Sequence, residues 1–229
     1  MAVVFSSMSE TARPKRRYDA TGRRAQAAKT RGDVIEAARR VFLERGYAGA
    51  TIPRIAAEAG VAVETVYRAA TGKAGLLEAA VAAALAGGVK RAKVPVEQRP
   101  GIRRVIEEAD PRRQLDAYAA TQPGVWGRVG PLLRILDAAA GTDQTLAALR
   151  DQHAAFRLQG LRRFAALLAE RGALRPGLSV DRAADIIWTL CAHGNFDSLV
   201  TSRGWTDQDY RRWLSETLAH ALLAERGGT

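Results

Sequence analysis

Apolar residues recur at i, i+3, i+4 and i+7 in segment after segment of this 229-residue chain, and no useful stretch alternates apolar with polar side chains. The first period puts one apolar stripe on a helix, whereas the second, which would turn a strand's face to a core, is missing. An all-α fold follows. Composition agrees: apolar residues make up 47% with Ala and Leu dominant, while aromatics are only 6%. Such a mixture forms helices in preference to sheets and is rich enough to build a core.

Charge divides the chain unevenly. Residues 1–100 carry 18 Lys/Arg against nine Asp/Glu, whereas the rest carry 17 against 15. A basic N-terminal part beside a near-neutral remainder points to a polyanion at one end. Arg-rich composition without a partner is the competing reading. Cys191 is the single cysteine, so no intramolecular disulfide is available. No run of about 18 apolar residues is present to span a bilayer, and the apolar start Met1–Phe5 is too short for a signal-peptide core. A cytoplasmic protein with no membrane contact is expected.

Residues 1–30 read as a flexible basic arm, with seven Lys/Arg and one acidic residue between Arg13 and Lys29. The arm either contacts DNA outside the main site or is a solvated tail. Thr30-x-x-Asp33 resembles a capping box, and Ile35, Ala38 and Phe42 continue it as a helix that Gly46 ends. A second helix starts after Thr51, with Pro53 in its first turn; Gly60 then makes a tight turn. A third helix runs from about Ala62 to Ala69, and a fourth from about Lys73 to Ala86. Beyond a basic loop at 89–101, helical patterns cover 102–109, 111–121, 124–140, 142–171, 179–202 and 206–225. Three units result: the arm at 1–30, a small helical unit at 31–77 and a larger one at 78–229.

Two short helices joined by a glycine turn and braced by a preceding helix make a helix-turn-helix geometry, with an ordinary pair of surface helices as the competing reading. Val61 and Val66 serve the buried side of the third helix and leave Glu64, Thr65 and Arg68 outward. A hydroxyl suits phosphate, and a guanidinium suits phosphate or guanine.

The stretch from Ala37 to Leu77 resembles the DNA-binding domain of TetR-family transcriptional regulators. Phe42, Gly46 and Tyr47 match the end of the family's first helix. Thr51, Ile55, Ala56, Ala59, Gly60 and Val61 match its second helix and turn. Thr65, Val66, Tyr67, Lys73, Leu76 and Leu77 match its recognition helix and the start of its fourth. Ala62 departs from the pattern, because a small hydroxyl residue often caps the third helix there; Ala69 and Ala70 replace the usual aromatics. The resemblance implies a repressor released from a near-palindromic double-stranded operator by a small-molecule effector. It implies phosphate contacts from Thr51, Tyr67 and Lys73, and a major-groove face of Val63, Glu64, Thr65 and Arg68. For Tyr67 the competing role is packing, and for Glu64 a solvated charge. An activator, or a regulator answering to no small molecule, fits the same sequence.

In the larger unit, Tyr210, Trp213, Leu214, Thr217, Leu218, Ala221 and Leu222 form one apolar stripe. The segment 179–202 is apolar on more than one side, with Ile187 and Cys191 among its apolar positions. A helix apolar nearly all round touches two partners. The resemblance implies that the last two long helices of each subunit build a homodimer interface; packing inside a monomeric bundle is the alternative. Trp126, Leu133, Phe156, Phe164, Trp188 and His193 are candidate lining residues of an effector cavity, with ordinary core packing as the competing role for each. His153, His193 and His220 have no metal-binding spacing, and there is no phosphate-binding glycine loop, so neither metal, cofactor nor enzymatic activity is expected.

Overall fold

The computed structural model describes residues 20–224, all helices and connections apart from one isolated bridge between Leu174 and Leu223. Helix α1 spans Ala20–Gly49, α2 Ile52–Ala59, α3 Val63–Ala69 and α4 Gly72–Ala86. After α5 (Val89–Ala92) and a short turn of 3-10 helix come α6 (Pro100–Glu107), α7 (Pro111–Ala140) and α8 (Gln144–Glu170). Then follow α9 (Val180–Leu190), α10 (His193–Phe196), a π-helical turn over Asp197–Ser202, and α11 (Asp207–Leu222). Among the described residues no single helix is long and apolar enough to cross a membrane.

The expected arm at 1–30 is corrected from Ala20 onward. Residues 20–30 are the first turns of α1, and Arg13, Lys15, Arg16 and Arg17 lie outside the described residues. The segment from Ala20 is rich in Ala, Arg, Gln and Lys, which lose little freedom in a helix. Thr30 therefore sits inside α1 rather than capping it, and Asp33 pairs with Lys29 at 3.3 Å one turn away. The stop does fall at Gly46, whose backbone takes φ 66° and ψ −178°, a left-handed angle that glycine adopts without strain. Just beyond it Tyr47 folds back to stack on Phe42, ring centres 6.0 Å apart.

Helix α7 is one element where the pattern predicted two. Pro123 and Pro131 lie within it, each lacking the N–H that an interior turn would use, at about 3 kcal/mol per proline. The helix continues because it is packed against α1, α4, α8 and α11, and Leu115, Ala119, Trp126, Val129, Leu132 and Leu136 are all buried along it. Burial on that scale outweighs local propensity.

The expected helix at 179–202 is divided. Arg157 on α8 donates from Nη2 to the carbonyls of Trp188 (3.0 Å) and Cys191 (2.8 Å), and Asn195 Nδ2 donates to those of Thr189 (2.8 Å) and Leu190 (3.1 Å). These side chains take over carbonyls left free at the end of α9, so the helix can stop there. The capping box at Thr206 is present as read, its hydroxyl accepting from the Asp209 N–H at 3.1 Å.

The core is continuous from Val34 in α1 to Leu222 in α11. Helix α4 straddles the boundary expected at 77/78: Leu76 and Leu77 are buried at its head end, and Ala83, Ala84 and Ala86 at its body end. One rigid element thus belongs to both units.

Candidate nucleic-acid interface

Helices α2 and α3 are joined at Gly60, which sits at φ 65°, ψ 35° and donates to the carbonyls of Ala56 and Ala57. Thr51 caps α2, its hydroxyl oxygen accepting from the Arg54 N–H at 3.3 Å. The hydroxyl hydrogen of this exposed residue stays free to donate outward. Ala62 makes no side-chain cap at α3, as its chemistry requires. Another contact braces α3 instead: Arg31 on α1 donates from Nε to the Ala69 carbonyl at 2.9 Å, placing a cation at the negative end of the helix. Sequence reading missed Arg31, because its partner lies 38 residues away on the backbone.

Helix α3 buries Val66 and Ala69 and turns its opposite side to solvent. Tyr67 is 59% exposed, so packing is not its role within one chain. Glu64 and Arg68 are exposed, and Thr65 is half-buried. Arg68 Nη2 donates to Thr65 Oγ1 at 3.0 Å, so the two side chains form one ordered unit with the rest of the guanidinium fork pointing outward. Val63 packs partly against the core and offers less of itself to a groove. Lys73 donates from Nζ to the Tyr47 carbonyl at 2.9 Å and lies 4.2 Å above the Tyr47 ring. It locks the start of α4 to the end of α1, with two ammonium donors remaining.

The body grips the head through α4. Arg128 on α7 donates from Nε to the Ala84 carbonyl at 3.1 Å, in the last turn of α4, and burial beside Arg91 lowers its pKa. On the same helix Glu78 acts on His153 of α8.

The six candidate lining residues fare differently. Phe156 is 55% exposed on α8, which corrects its expected place in an interior cavity. Its helix turns the opposite side, with Leu161, Ala165 and Leu168, to the core. Leu133 packs partly against the core, and Phe164 lies 4.7 Å from the Tyr118 ring. Trp126, Trp188 and His193 do converge, from three helices, on one cluster that also holds Arg157, Cys191 and Tyr210. His193 fits there because Gly130 has no side chain; a Cβ on Gly130 would lie 2.0 Å from Nε2 of the imidazole.

The proposed dimer stripe is also corrected. Ile187, Cys191, Tyr210, Leu214, Leu218 and Leu222 are completely buried within one chain, so they belong to its core and offer no surface to a partner. Trp213, Thr217 and Ala221 alone of that set face partly outward. With Leu178, Ile186, Thr189 and Leu190 of the α9 region, Thr217 and Ala221 line a groove of about 590 Å³ between α9 and α11. A helix of 3.6 residues per turn divides a broad apolar stripe between two neighbours, and the sequence alone does not say which half goes where.

Burial has a measurable consequence at Cys191. Its thiol is pushed up to about 12 by desolvation, with Arg157 opposing. In folded protein at pH 8 the sole thiol is expected to resist a thiol reagent and to react fully in urea. Reaction of the folded chain at the rate of free cysteine would place Cys191 at the surface.

The histidines give a pH dependence. Burial lowers the pKa of both His153 and His193 below the ordinary 6.5. Between the unfolded value and the lowered folded value, the unfolded chain binds more protons. Stability is therefore whole above pH 6.5 and falls as pH drops toward the folded values. Urea melts at pH 7.5 and pH 5.5 should show the loss, and His153→Gln with His193→Gln should reduce it; an equal loss in that double variant would remove the assignment.

A small helix-turn-helix head thus shares α4 with a larger helical body. Residues 34–80 match the family model of the bacterial regulatory proteins of the tetR family. The fold is similar to those of solved transcriptional regulators. A TetR-family regulator candidate from Mesorhizobium loti superposes with a TM-score of 0.66 at 20% identity, covering 86% of this chain and 96% of that one. NalD, the secondary repressor of the MexAB-OprM multidrug efflux pump in Pseudomonas aeruginosa, gives 0.65 at 22% identity, covering 87% and 99%. FadR from Bacillus subtilis, solved with stearoyl-CoA, gives 0.62 at 18% identity, covering 82% and 97%. No curated protein sequence matches significantly.

Proposed function

We propose that this chain is a homodimeric repressor that reads a near-palindromic DNA operator through α3 and leaves it when a small molecule binds the helical body. The observation that carries this reading is the outward unit of Thr65, Tyr67 and Arg68 on a helix braced from behind by Arg31. Thr51, Tyr67 and the remaining donors of Lys73 take phosphates; Thr65, Arg68 and, less fully, Val63 and Glu64 take base edges. The second copy packs on the groove between α9 and α11. Its rim carries Arg175, Arg182 and Asp185 around Ile186, Leu190 and Ala221, an apolar centre with a charged border. Two-fold pairing there presents two heads to successive turns of the duplex.

Release requires an effector with different affinities for two head spacings. The Arg128–Ala84 contact gives the body a handle on the last turn of α4, and Lys73 ties the first turn to the head. That NalD is a repressor and that FadR takes stearoyl-CoA support a repressor with a ligand here. The test is selection of bound fragments from random and genomic DNA with the full chain, followed by a metabolite screen for release. An enriched two-half-site sequence is expected, and failure to enrich any sequence sinks the reading. Light scattering should give a dimer; a monomer at working concentration removes the interface.

A further inference from the structure

The cluster around Arg157 has a surplus of hydrogen-bond donors and a charge with no counter-ion. Arg157 lies with its guanidinium carbon 4.2 Å from the Trp188 ring centre and 5.5 Å from that of Trp126. Only Nη2 is hydrogen-bonded, to the carbonyls of Trp188 and Cys191. No carboxylate pairs with it among the described residues; the groups that act on it are Tyr118, Cys191 and Tyr210. Nε and Nη1 are left with donors to give. Trp126 is 5% exposed, yet its Nε1, a donor with no acceptor capacity, has no partner. Tyr210 is completely buried, and its hydroxyl has no partner either. His193 Nε2, in the same cluster, has no hydrogen-bond partner either; buried polar groups in folded proteins are nearly always satisfied, so these orphaned groups beside an unpaired guanidinium mark a place that can take a ligand. Arg157 and Trp188 are half-exposed, so these two members of the cluster reach the surface.

We propose that Arg157, with Trp126 and Tyr210 beside it, binds the carboxylate of an organic acid. This rests on the reading that a small molecule binds the helical body, and it names the class of that molecule. A carboxylate supplies both what the site lacks, a negative charge and up to four lone-pair sites for N–H and O–H donors. A cation meets the opposite: Arg157 already occupies the two indole faces, and its charge repels another. A neutral amide offers one acceptor oxygen and brings two more donors into a site that has too many.

The experiment is isothermal titration of the full chain with octanoate and phenylacetate, beside octanamide, phenylacetamide, octylammonium and phenethylammonium. At least one carboxylate should bind about tenfold or more tighter than its amide, and the ammonium ions should not bind measurably. Arg157→Gln should abolish the preference of acid over amide. Trp126→Phe, which keeps an aromatic ring and removes the indole N–H donor, should weaken the acid severalfold and leave the amide unchanged, a readout that does not depend on the harsher variant folding. Equal binding of acid and amide, tighter binding of an ammonium ion, an unaltered preference in Arg157→Gln, or no binding by either carboxylate overturns the proposal. Operator binding measured in parallel separates the two readings: an intact operator complex with no acid binding removes the carboxylate site alone, whereas loss of sequence-selective DNA binding in the parent removes the regulator.

Discussion

Arg68→Ala is expected to weaken binding to the selected operator by about 1–3 kcal/mol, the usual magnitude for one good base contact. Helix content should not change, because Val66 and Ala69, not Arg68, hold α3 to the core. Thr65→Ala should cost a similar amount by two routes: it removes a hydroxyl from the groove face and frees the guanidinium that now donates to it at 3.0 Å. The double variant should therefore lose less than the two single losses added together, since side chains joined by a hydrogen bond are not independent. Electrophoretic or fluorescence titration of operator and random duplex across a salt series checks all three. Both single variants binding the operator like the parent would displace the reading head from α3. A loss equal on operator and random DNA would make Arg68 a phosphate ligand rather than a base reader.

The second large effect separates the two halves of the α11 stripe. Leu218 is completely buried, so Leu218→Ala is expected to cost about 2–5 kcal/mol of folding stability, and Leu218→Glu more, because a carboxylate would be stranded without a partner. Both should lower the urea midpoint of the chain whatever its oligomeric state. Ile186→Glu, in the outward groove, should leave the fold intact and dissociate the dimer. Circular dichroism with light scattering distinguishes the outcomes. A folded Leu218→Glu monomer with an unchanged urea midpoint would mean that Leu218 faces a partner after all.

Much of the head was legible in the sequence because its determinants are local. Thr51, Gly60 and the apolar positions Ile55, Ala56 and Val66 act within one or two turns of themselves, and backbone geometry at a cap or a left-handed turn admits few residue types. The bare cap at Ala62 was legible for the same reason. The all-helical class followed from periodicity, which reports the shape of each segment and not its neighbours.

The contacts that decide what the elements do were not legible. Arg31 reaches Ala69 across 38 residues, Arg128 reaches Ala84 across 44, and Arg157 reaches Cys191 across 34. Each is a long cation whose charge ends on the carbonyls of another helix, and nothing in its own segment marks the destination. In the same way the sequence determined that α11 has a broad apolar stripe, while tertiary packing decided that Tyr210, Leu214, Leu218 and Leu222 face α7 and α9 and that Thr217 and Ala221 remain outside. It determined that prolines stand at 123 and 131, while packing carried α7 through both. The physical reason is common to these cases. Periodicity and capping are set by a few neighbouring dihedral angles, whereas burial depends on which surfaces meet, and that is fixed only when the whole chain has closed around one core.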